Sequence, residues 1–193
     1  MLFAHDTTAA LVLAADLVNT GFPDVAALES FLDQHAMGPR PPATEADLRD
    51  VDTLRARLRQ IWETTSTDRL AALINDLLYD SGARPYLFDH DGWGWHLHFS
   101  RPDALVPERL AAQAAFALAD LVRLGGTARL RRCEAPGCEA VFTDLSKNQS
   151  RRYCDTGNCG NCQHVAAYRA RRARASREAA SSPSGGPDGE DAR

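Results

Sequence analysis

The sequence predicts an α+β protein in which a helix-rich N-terminal domain precedes a small cysteine-containing module. Apolar residues recur at spacings of three and four along much of the first 125 residues, as in amphipathic helices. They alternate at a period of two between residues 84 and 100, as in a β-hairpin. All five cysteines lie between residues 133 and 162. A chain of 193 residues is long enough for one ordinary core and one small appended domain.

The charge is divided unevenly along the chain. Residues 1 to 128 carry 10 Lys and Arg against 18 Asp and Glu, a net charge of −8. Residues 129 to 177 carry 11 against 4, a net charge of +7, and residues 178 to 193 carry −3. The overall charge of −4 therefore hides a basic segment that coincides with the cysteines, and this favours an anionic partner for that segment.

The two ends of the chain give further expectations. We find no run of about 18 apolar residues and no secretory signal, so no membrane span and a cytoplasmic location are expected. Residues 179 to 193 are poor in apolar side chains and rich in Ser, Gly, Pro and acid. A disordered tail, placed at 178–193, is predicted.

The N-terminal part is expected to be mostly helical. Residues 11 to 20 are almost wholly apolar and fit either a buried strand or a short helix. Three helices are expected next, each starting at a capping side chain: 24–35 from Asp24, 44–64 from Thr44 and 68–80 from Asp68. A hairpin follows with its turn at residues 90–92, then a helix over about 107–124 that ends at two glycines. This helix is expected to pack across the hairpin and to support the C-terminal module.

Two groups of side chains in this part have a second interpretation. The first group is Arg55, Arg57 and Arg59. These arginines could contact nucleic acid, but the acidic residues around them favour a solvated helix face. The second group is His90, His96 and His98. These histidines could share a metal ion, but no further ligand completes such a site, so exposed or packing histidines are favoured.

The cysteines form two matched C-x4-C pairs, separated by fifteen residues: Cys133, Cys138, Cys154 and Cys159. Zinc takes four soft ligands at tetrahedral angles, and a tight turn between paired cysteines presents two sulfurs to one side of the ion. Turn-forming residues lie inside both pairs, namely 135–137 and 155–158. Two disulfides are the alternative, which the missing secretory signal disfavours. The array predicts a Zn²⁺ site in a small zinc-ribbon-like ββα finger with strands over 129–132 and 140–142.

The fifth cysteine, Cys162, forms a CxxC with Cys159 and is an alternative ligand. A cysteine in the first turn of a helix near arginines can have a lowered pKa and oxidise readily, which would suit a redox sensor. A small inert thiol is the other interpretation.

Residues 130 to 175 resemble the CGNR zinc finger, a bacterial module at the C-terminal end of transcription regulators. The resemblance rests on the two cysteine pairs, on SKNQSRRYC with Asn148 and Ser150-Arg151-Arg152, and on Gly160-Asn161 within CGNCQHVAAYRARRARA. Cys162 stands where the family has its final Arg. The resemblance implies a zinc-dependent regulator that contacts DNA.

A second resemblance lies near the N-terminus, where residues 13–20, LAADLVNT, look like the opening of the ABATE domain of stress-induced transcription regulators. This domain commonly precedes the CGNR finger, and it is taken as residues 1–127, with the finger at 128–177. Asp16 and Asn19 are candidates for a ligand pocket that would bind a small-molecule effector. The alternative is that both are structural polar groups bonded to neighbouring backbone.

The predicted helix from Gly160 onward carries the candidate DNA contacts. Arginine offers a planar fork to phosphate oxygens and can read guanine in a major groove. The candidates are four helix residues and three flanking residues: Arg169, Arg171, Arg172, Arg174, Lys147, Arg151 and Arg152. Val165, Tyr168 and Arg172 share one face, which is expected to lie against the metal turns.

These observations favour a zinc-dependent DNA-binding transcription regulator, in which the N-terminal domain senses a ligand or mediates assembly. One short basic helix would gain from a homodimer on double-stranded DNA. No nucleophile with a base, phosphate loop or cofactor fingerprint is found, so an enzyme is not expected. The alternative is a small-molecule-binding protein or enzyme whose finger is a protein-interaction module.

Overall fold

The computed structural model describes residues 3 to 89, 94 to 101 and 103 to 181, and it confirms the α+β class. Within these residues, six helices surround or extend from one core, and two antiparallel sheets have two strands each. The helices are α1 His5–Asn19, α2 Val25–Gln34, α3 Glu45–Glu63, α4 Thr67–Asp80, α5 Val106–Arg123 and α6 Cys159–Ser181. The strands are β1 Tyr86–Asp89, β2 Trp95–His98, β3 Leu130–Arg132 and β4 Val141–Thr143.

Residues 11 to 20 were predicted to form either a buried strand or a short helix. In the structure residues 11 to 19 belong to helix α1, which starts earlier, at His5. It packs against α5, α3 and β4, so its side chains are buried on most sides. A helix buried on most sides lacks the one-sided apolar stripe by which periodicity identifies a helix. The buried residues are Ala10, Leu11, Leu13, Ala14, Ala15, Leu17 and Val18.

Capping side chains start the next three helices, and two of the three predicted caps are confirmed. The Asp24 carboxylate accepts a 2.8 Å hydrogen bond from the Ala27 N–H. Thr44 begins α3 in a capping box with Asp47. The prediction for α4 was wrong, because Ser66 is the cap and accepts from the Arg69 N–H at 3.3 Å. Asp68 lies inside the first turn of α4, where its negative charge interacts favourably with the positive end of the helix dipole.

Three of the four arginines of α3 bind groups on neighbouring helices and do not only face solvent. Arg55 donates from Nε to the Leu17 carbonyl oxygen at 2.9 Å, and Arg59 donates to the Val18 carbonyl oxygen at 3.4 Å. Both carbonyls belong to the last turn of α1, where helical partners are lacking. Arg57 forms an ion pair with Asp80 at 2.7 Å. The sequence interpretation missed this role because the acceptors lie on a different helix.

The hairpin pairs β1 and β2 in the register Tyr86↔His98 and Phe88↔His96. Its predicted turn at residues 90–92 lies outside the described residues. Trp95 and Leu97 occupy one face and are 74% and 42% exposed. Contact with α5 is confirmed by the Phe99 and Phe116 rings, which stack with centroids 4.0 Å apart.

Helix α5 ends as predicted at its two glycines. Gly125 has a φ of +69°, and the Gly126 N–H donates to the Leu121 carbonyl oxygen at 2.8 Å. This is the hydrogen-bond pattern of a helix C-terminus closed by a left-handed residue. The chain then forms a short 3-10 turn, Thr127–Arg129, so Arg129 precedes β3 instead of belonging to it.

The finger strands join the main core through α1 and α3, and the expected support of the finger by α5 stays a prediction. The Asn19 side chain donates to the Val141 carbonyl oxygen at 2.8 Å and accepts from the Val141 N–H at 2.9 Å. Trp62 of α3 donates from Nε1 to the Phe142 carbonyl oxygen at 3.0 Å. Val141 is part of the same hydrophobic core as α1. The hydrophobic core therefore includes residues from both sides of the predicted domain boundary between residues 127 and 128. That boundary stays a prediction.

Within the residues that the structure describes, no helix combines the length and apolar content that a membrane crossing needs. Helix α6 extends to Ser181, so the first residues of the predicted disordered tail are helical. Residues 182 to 193 lie outside the described part of the chain.

Replacing Asn19 by Ala should lower the free energy of unfolding by about 2 to 4 kcal/mol, because the N–H and carbonyl of buried Val141 would lose their partners. Urea unfolding of the metal-loaded protein measures this. Asn75→Ala, at an exposed position of α4, is the control and should change the value by less than about 0.5 kcal/mol. Equal midpoints for both variants would refute the role of Asn19.

Candidate metal centre and basic helix

Four cysteine sulfurs converge between β3, β4 and the start of α6. The Sγ atoms of Cys133, Cys138, Cys154 and Cys159 all lie within 4.8 Å of one another. Cys154 Sγ is 3.7 Å from both Cys138 Sγ and Cys159 Sγ. Tetrahedral zinc with Zn–S bonds of about 2.3 Å requires sulfurs about 3.8 Å apart, whereas a disulfide requires about 2.05 Å. The spacing fits a shared metal ion and not a disulfide.

The first cysteine pair is held by a turn whose residues the sequence dictates. The Cys138 N–H donates to the Ala135 carbonyl oxygen at 3.0 Å. Pro136 and Gly137 are the two central residues, and Gly137 has a φ of +75°. Proline at the first central position and a left-handed glycine at the second are typical of a type II turn.

The second cysteine pair combines a turn with a helix start. The Asn158 N–H donates to the Asp155 carbonyl oxygen at 3.0 Å, and Cys159 then begins α6. Gly157 lies so close to Cys159 that a Cβ at this glycine would be 3.1 Å from the Cys159 sulfur. A side chain at residue 157 would therefore crowd this ligand.

The thiols perturb one another strongly. Burial raises the pKa of the Cys133 thiol, but the Cys154 N–H at 3.4 Å, the Ala135 N–H and neighbouring thiols outweigh burial and lower it. Burial and neighbouring thiols raise the pKa of Cys159 to about 12. Four adjacent thiols cannot all ionise unless a cation compensates their charge. A bound metal ion supplies that charge and would release protons on binding.

Asp144, which the sequence analysis missed, organises the loop between the two cysteine pairs. Its carboxylate is fully buried and accepts from the Ser146 N–H at 3.0 Å, the Ser146 hydroxyl at 2.5 Å and the Arg151 N–H at 2.9 Å. Burial raises the pKa of Asp144, but these donors and nearby Arg131 outweigh it, so the pKa lies below its usual value. Asp144 is a charged anchor for the loop that leads to Cys154.

Basic residues complete this anchor from within. Arg129 donates to the carbonyl oxygens of Asp144 and Ser146 at 2.7 and 3.0 Å. Arg151 donates to the Tyr153 carbonyl oxygen at 2.9 Å and forms an ion pair with Asp155 at 2.6 Å. Arg151, a candidate DNA contact, is therefore engaged within the finger and half-buried.

The other two flanking candidates are exposed. Lys147 lies in the turn after β4. Arg152 forms a 2.6 Å ion pair with Glu134 and lies over the Tyr153 ring at 5.8 Å. Residues 150–155 and the N-terminal turns of α6, as far as Ala167, line a groove of about 740 Å³.

Helix α6 projects from the metal centre, and its residues 164–177 are exposed to solvent. The expected packing of its Val165, Tyr168 and Arg172 face against the metal turns was wrong, because Val165 is 39% and Tyr168 54% exposed. The helix is attached through Cys159, and Gly160 lies beside Tyr153, since a Cβ at this glycine would be 3.8 Å from the Tyr153 ring. Four candidate DNA contacts lie on its exposed part: Arg169, Arg171, Arg172 and Arg174. Cys162 is exposed and lies outside the four-sulfur cluster.

The structure separates the two candidate pocket residues of α1. Asp16 lines a cavity of about 340 Å³ between α1 and α2, together with Thr20, Ser30, Gln34 and His35. Its Oδ2 atom is 3.6 Å from His35 Nε2, and burial raises the pKa of Asp16 and lowers that of His35. Among the described residues its carboxylate accepts no hydrogen bond. Asn19 points instead to β4.

Fold and site together define a helix-rich domain that carries a four-cysteine finger and a projecting basic helix. Residues 129–172 match the family model named "CGNR zinc finger". Residues 11–125 match the ABATE family, described as "Putative stress-induced transcription regulator". The chain belongs to the ABATE family, and both resemblances noted in the sequence are confirmed. No curated protein matches the chain.

Replacing Cys154 by Ser should weaken metal binding by more than about 100-fold, because the change removes a buried ligand rather than an outer hydrogen-bond partner. Competition with a chromophoric chelator measures this affinity. Cys162→Ser is the matched control and should bind metal as the parent does, since Cys162 lies outside the cluster. Loss of metal in the control would show that Cys162, not Cys159, is the fourth ligand.

Proposed function

We propose that the chain is a zinc-dependent DNA-binding transcription regulator. The observation that carries this proposal is α6, a 23-residue helix that starts at a cysteine of the four-sulfur cluster and projects its arginines into solvent. A basic helix fixed at one end to a rigid turn is presented in a defined direction. Zinc is the proposed ion, and double-stranded DNA in the cytoplasm is the proposed partner.

The small core of the finger supports a structural role for zinc. Among the described residues, the finger has a separate small cluster of four buried residues, Cys133, Ala135, Phe142 and Cys154, against which Cys138, Ala140, Tyr153 and Cys159 pack partly buried. So little apolar surface cannot hold two cysteine turns and a helix start in place. Zinc binding by four cysteines can contribute on the order of 10 kcal/mol or more. The metal would therefore determine whether α6 is presented at all.

The distribution of arginines around α6 supports insertion into a groove. Successive residues of an α-helix are turned by about 100°, so arginines that follow one another after one or two residues point in different directions. A helix lying on a flat acidic surface would need its charges on one face. A helix in a major groove has phosphates on both sides and base edges in front. The proposed contacts around the helix are Arg169, Arg171, Arg172 and Arg174.

The flanking residues would have different roles. Lys147 and Arg152 are exposed and would contact phosphates, although Arg152 would have to leave or share Glu134. Arg151 would act by positioning, since it holds Tyr153 and Asp155 within the finger. Dimerisation would place two such helices on successive half-sites and increase affinity.

The test is selection from random duplex DNA by the zinc-loaded full-length protein at several salt concentrations. The variant changes Arg169, Arg171, Arg172 and Arg174 to Ala. We expect the parent to enrich specific sequences with an affinity that falls steeply with salt, and the variant to bind at least about 100-fold more weakly because four phosphate-binding charges are lost.

The control removes the same charge from exposed arginines elsewhere: Arg49, Arg69, Arg84 and Arg123, each to Ala. This control should select the same sequences as the parent. Zinc content and helicity of all three proteins are measured in parallel. No binding by zinc-loaded parent at low salt would refute the proposal and favour a protein-interaction module.

We also propose that the cavity at Asp16 binds the effector of this regulator. A partly buried carboxylate that accepts no hydrogen bond from the described residues, beside an imidazole whose pKa is lowered by burial, suits a small molecule with an amino group. Asn19, which holds β4, follows Asp16 by three residues on the same helix, so movement of α1 would reach the finger.

Small primary amines should therefore raise the thermal unfolding midpoint of the parent by mass action, and Asp16→Asn should abolish the shift. Asp50→Asn, at an exposed position of α3, is the control and should respond like the parent. An equal shift in all three proteins would mean that the amines act elsewhere, and no shift in the parent would exclude amines as the ligand class.

A further inference from the structure

We propose that His96 and His98 form a second metal site, which binds a divalent late transition metal such as Ni²⁺, Cu²⁺ or Zn²⁺ independently of the cysteines. The two histidines lie on one face of β2, and their Nε2 atoms are 3.1 Å apart. Alternation along a strand places residues i and i+2 on the same side, but it does not by itself bring two ring nitrogens together. Here the rings converge.

The separation of the two nitrogens fits shared coordination. With metal–nitrogen bonds of about 2.0 to 2.1 Å, two ligand nitrogens are about 2.9 Å apart at a right angle and about 3.4 Å apart at a tetrahedral angle. The observed 3.1 Å lies between these values. Only small ring rotations would be needed to receive an ion.

A backbone contact orients the first of these rings for coordination. His96 Nδ1 is 2.8 Å from the Gly94 carbonyl oxygen, which can only accept a hydrogen bond. The ring must therefore donate from Nδ1, and in the neutral imidazole this leaves the lone pair on Nε2, the atom directed at His98. A ring N–H donated to a backbone carbonyl is the usual arrangement behind a metal-binding histidine.

Aromatic neighbours limit the motion of the second ring. The Phe88 and Tyr86 rings of the neighbouring strand lie 5.4 and 5.7 Å from the His98 ring, measured between centroids. The Tyr86 hydroxyl donates to the Ser100 carbonyl oxygen at 3.1 Å, which fixes that ring in turn. Holding a ligand before the ion arrives reduces the entropy lost on binding.

A hydrogen bond between the two imidazoles is the competing explanation for the 3.1 Å distance. It needs no metal and would stabilise the hairpin alone. The two explanations differ in one respect, because only a metal site makes the protein bind an added ion through both histidines.

The experiment titrates NiCl₂ into tag-free, full-length, zinc-loaded protein by calorimetry. All proteins carry Cys162→Ser, which removes the exposed thiol as a competing ligand. Zinc content is measured before and after, so that displacement at the cysteines is recognised. We expect one Ni²⁺ per chain in addition to zinc. His96→Ala and His98→Ala should each weaken this binding at least about tenfold, since the loss of even an outer partner costs that much.

The matched control is His164→Ala, at an exposed position of α6, which should bind Ni²⁺ like the parent. A further variant, His98→Gln, retains hydrogen-bonding capacity toward His96 while removing an imidazole, so it should fold normally and still lose Ni²⁺. Absence of a second ion in the parent, or equal binding by parent and all variants, would overturn the proposal and leave a histidine–histidine hydrogen bond.

Discussion

The packing of α1 against β4 is the interaction on which the rest of the architecture depends. Helix α1 contacts α3 and α5 on the body side and β4 on the finger side, so one element belongs to both parts. The Asn19 side chain satisfies both backbone groups of Val141, and Val141 is buried in the main core. Because a buried backbone group without a partner is costly, this pairing also fixes where β4 lies along α1.

The packing of α1 against β4 connects the N-terminal domain to the finger, so a displacement of α1 would be transmitted to β4. Asp16 lines the cavity between α1 and α2, and Asn19 lies about one helical turn later, where it holds the finger. Arg55 and Arg59 tie the end of α1 to α3 by binding its last carbonyls. A ligand that moved α1 would therefore move the end of the helix against β4 rather than only its own pocket. Coupling of this kind requires that the ligand bind two arrangements of α1 with different affinities.

The metal centre relies on a polar framework as much as on its sulfurs. Two turns bring the cysteines together, but the chain between β4 and Cys154 is held by the buried carboxylate of Asp144. Arg129 closes the same loop from the other side through two carbonyl oxygens. A buried charge such as that of Asp144 is tolerated because several donors bind it, namely the Ser146 N–H and hydroxyl and the Arg151 N–H. Side chains that resemble DNA contacts in sequence, Arg151 above all, are thereby committed to the fold.

The local features of this protein could be predicted from the order of its residues. These features act over only a few neighbouring residues, so a short stretch of sequence is enough to predict them. They are the turns within the cysteine pairs, the caps at Asp24 and Thr44, and the glycines after α5. The cysteine spacing likewise specified a four-sulfur cluster, because two tight turns must present their sulfurs inward.

Which polar side chains face solvent and which bind distant backbone could not be predicted from the sequence, because these contacts depend on how the elements pack. Asn19 meets Val141 across 122 residues, and Arg55 meets Leu17 across 38, distances over which no local pattern reports a contact. The same limit explains α6, whose apolar residues have the spacing of a packed face but find no opposing surface in the described chain. The spacing of apolar residues predicts which residues share a face of a helix. It does not predict whether another part of the folded chain packs against that face.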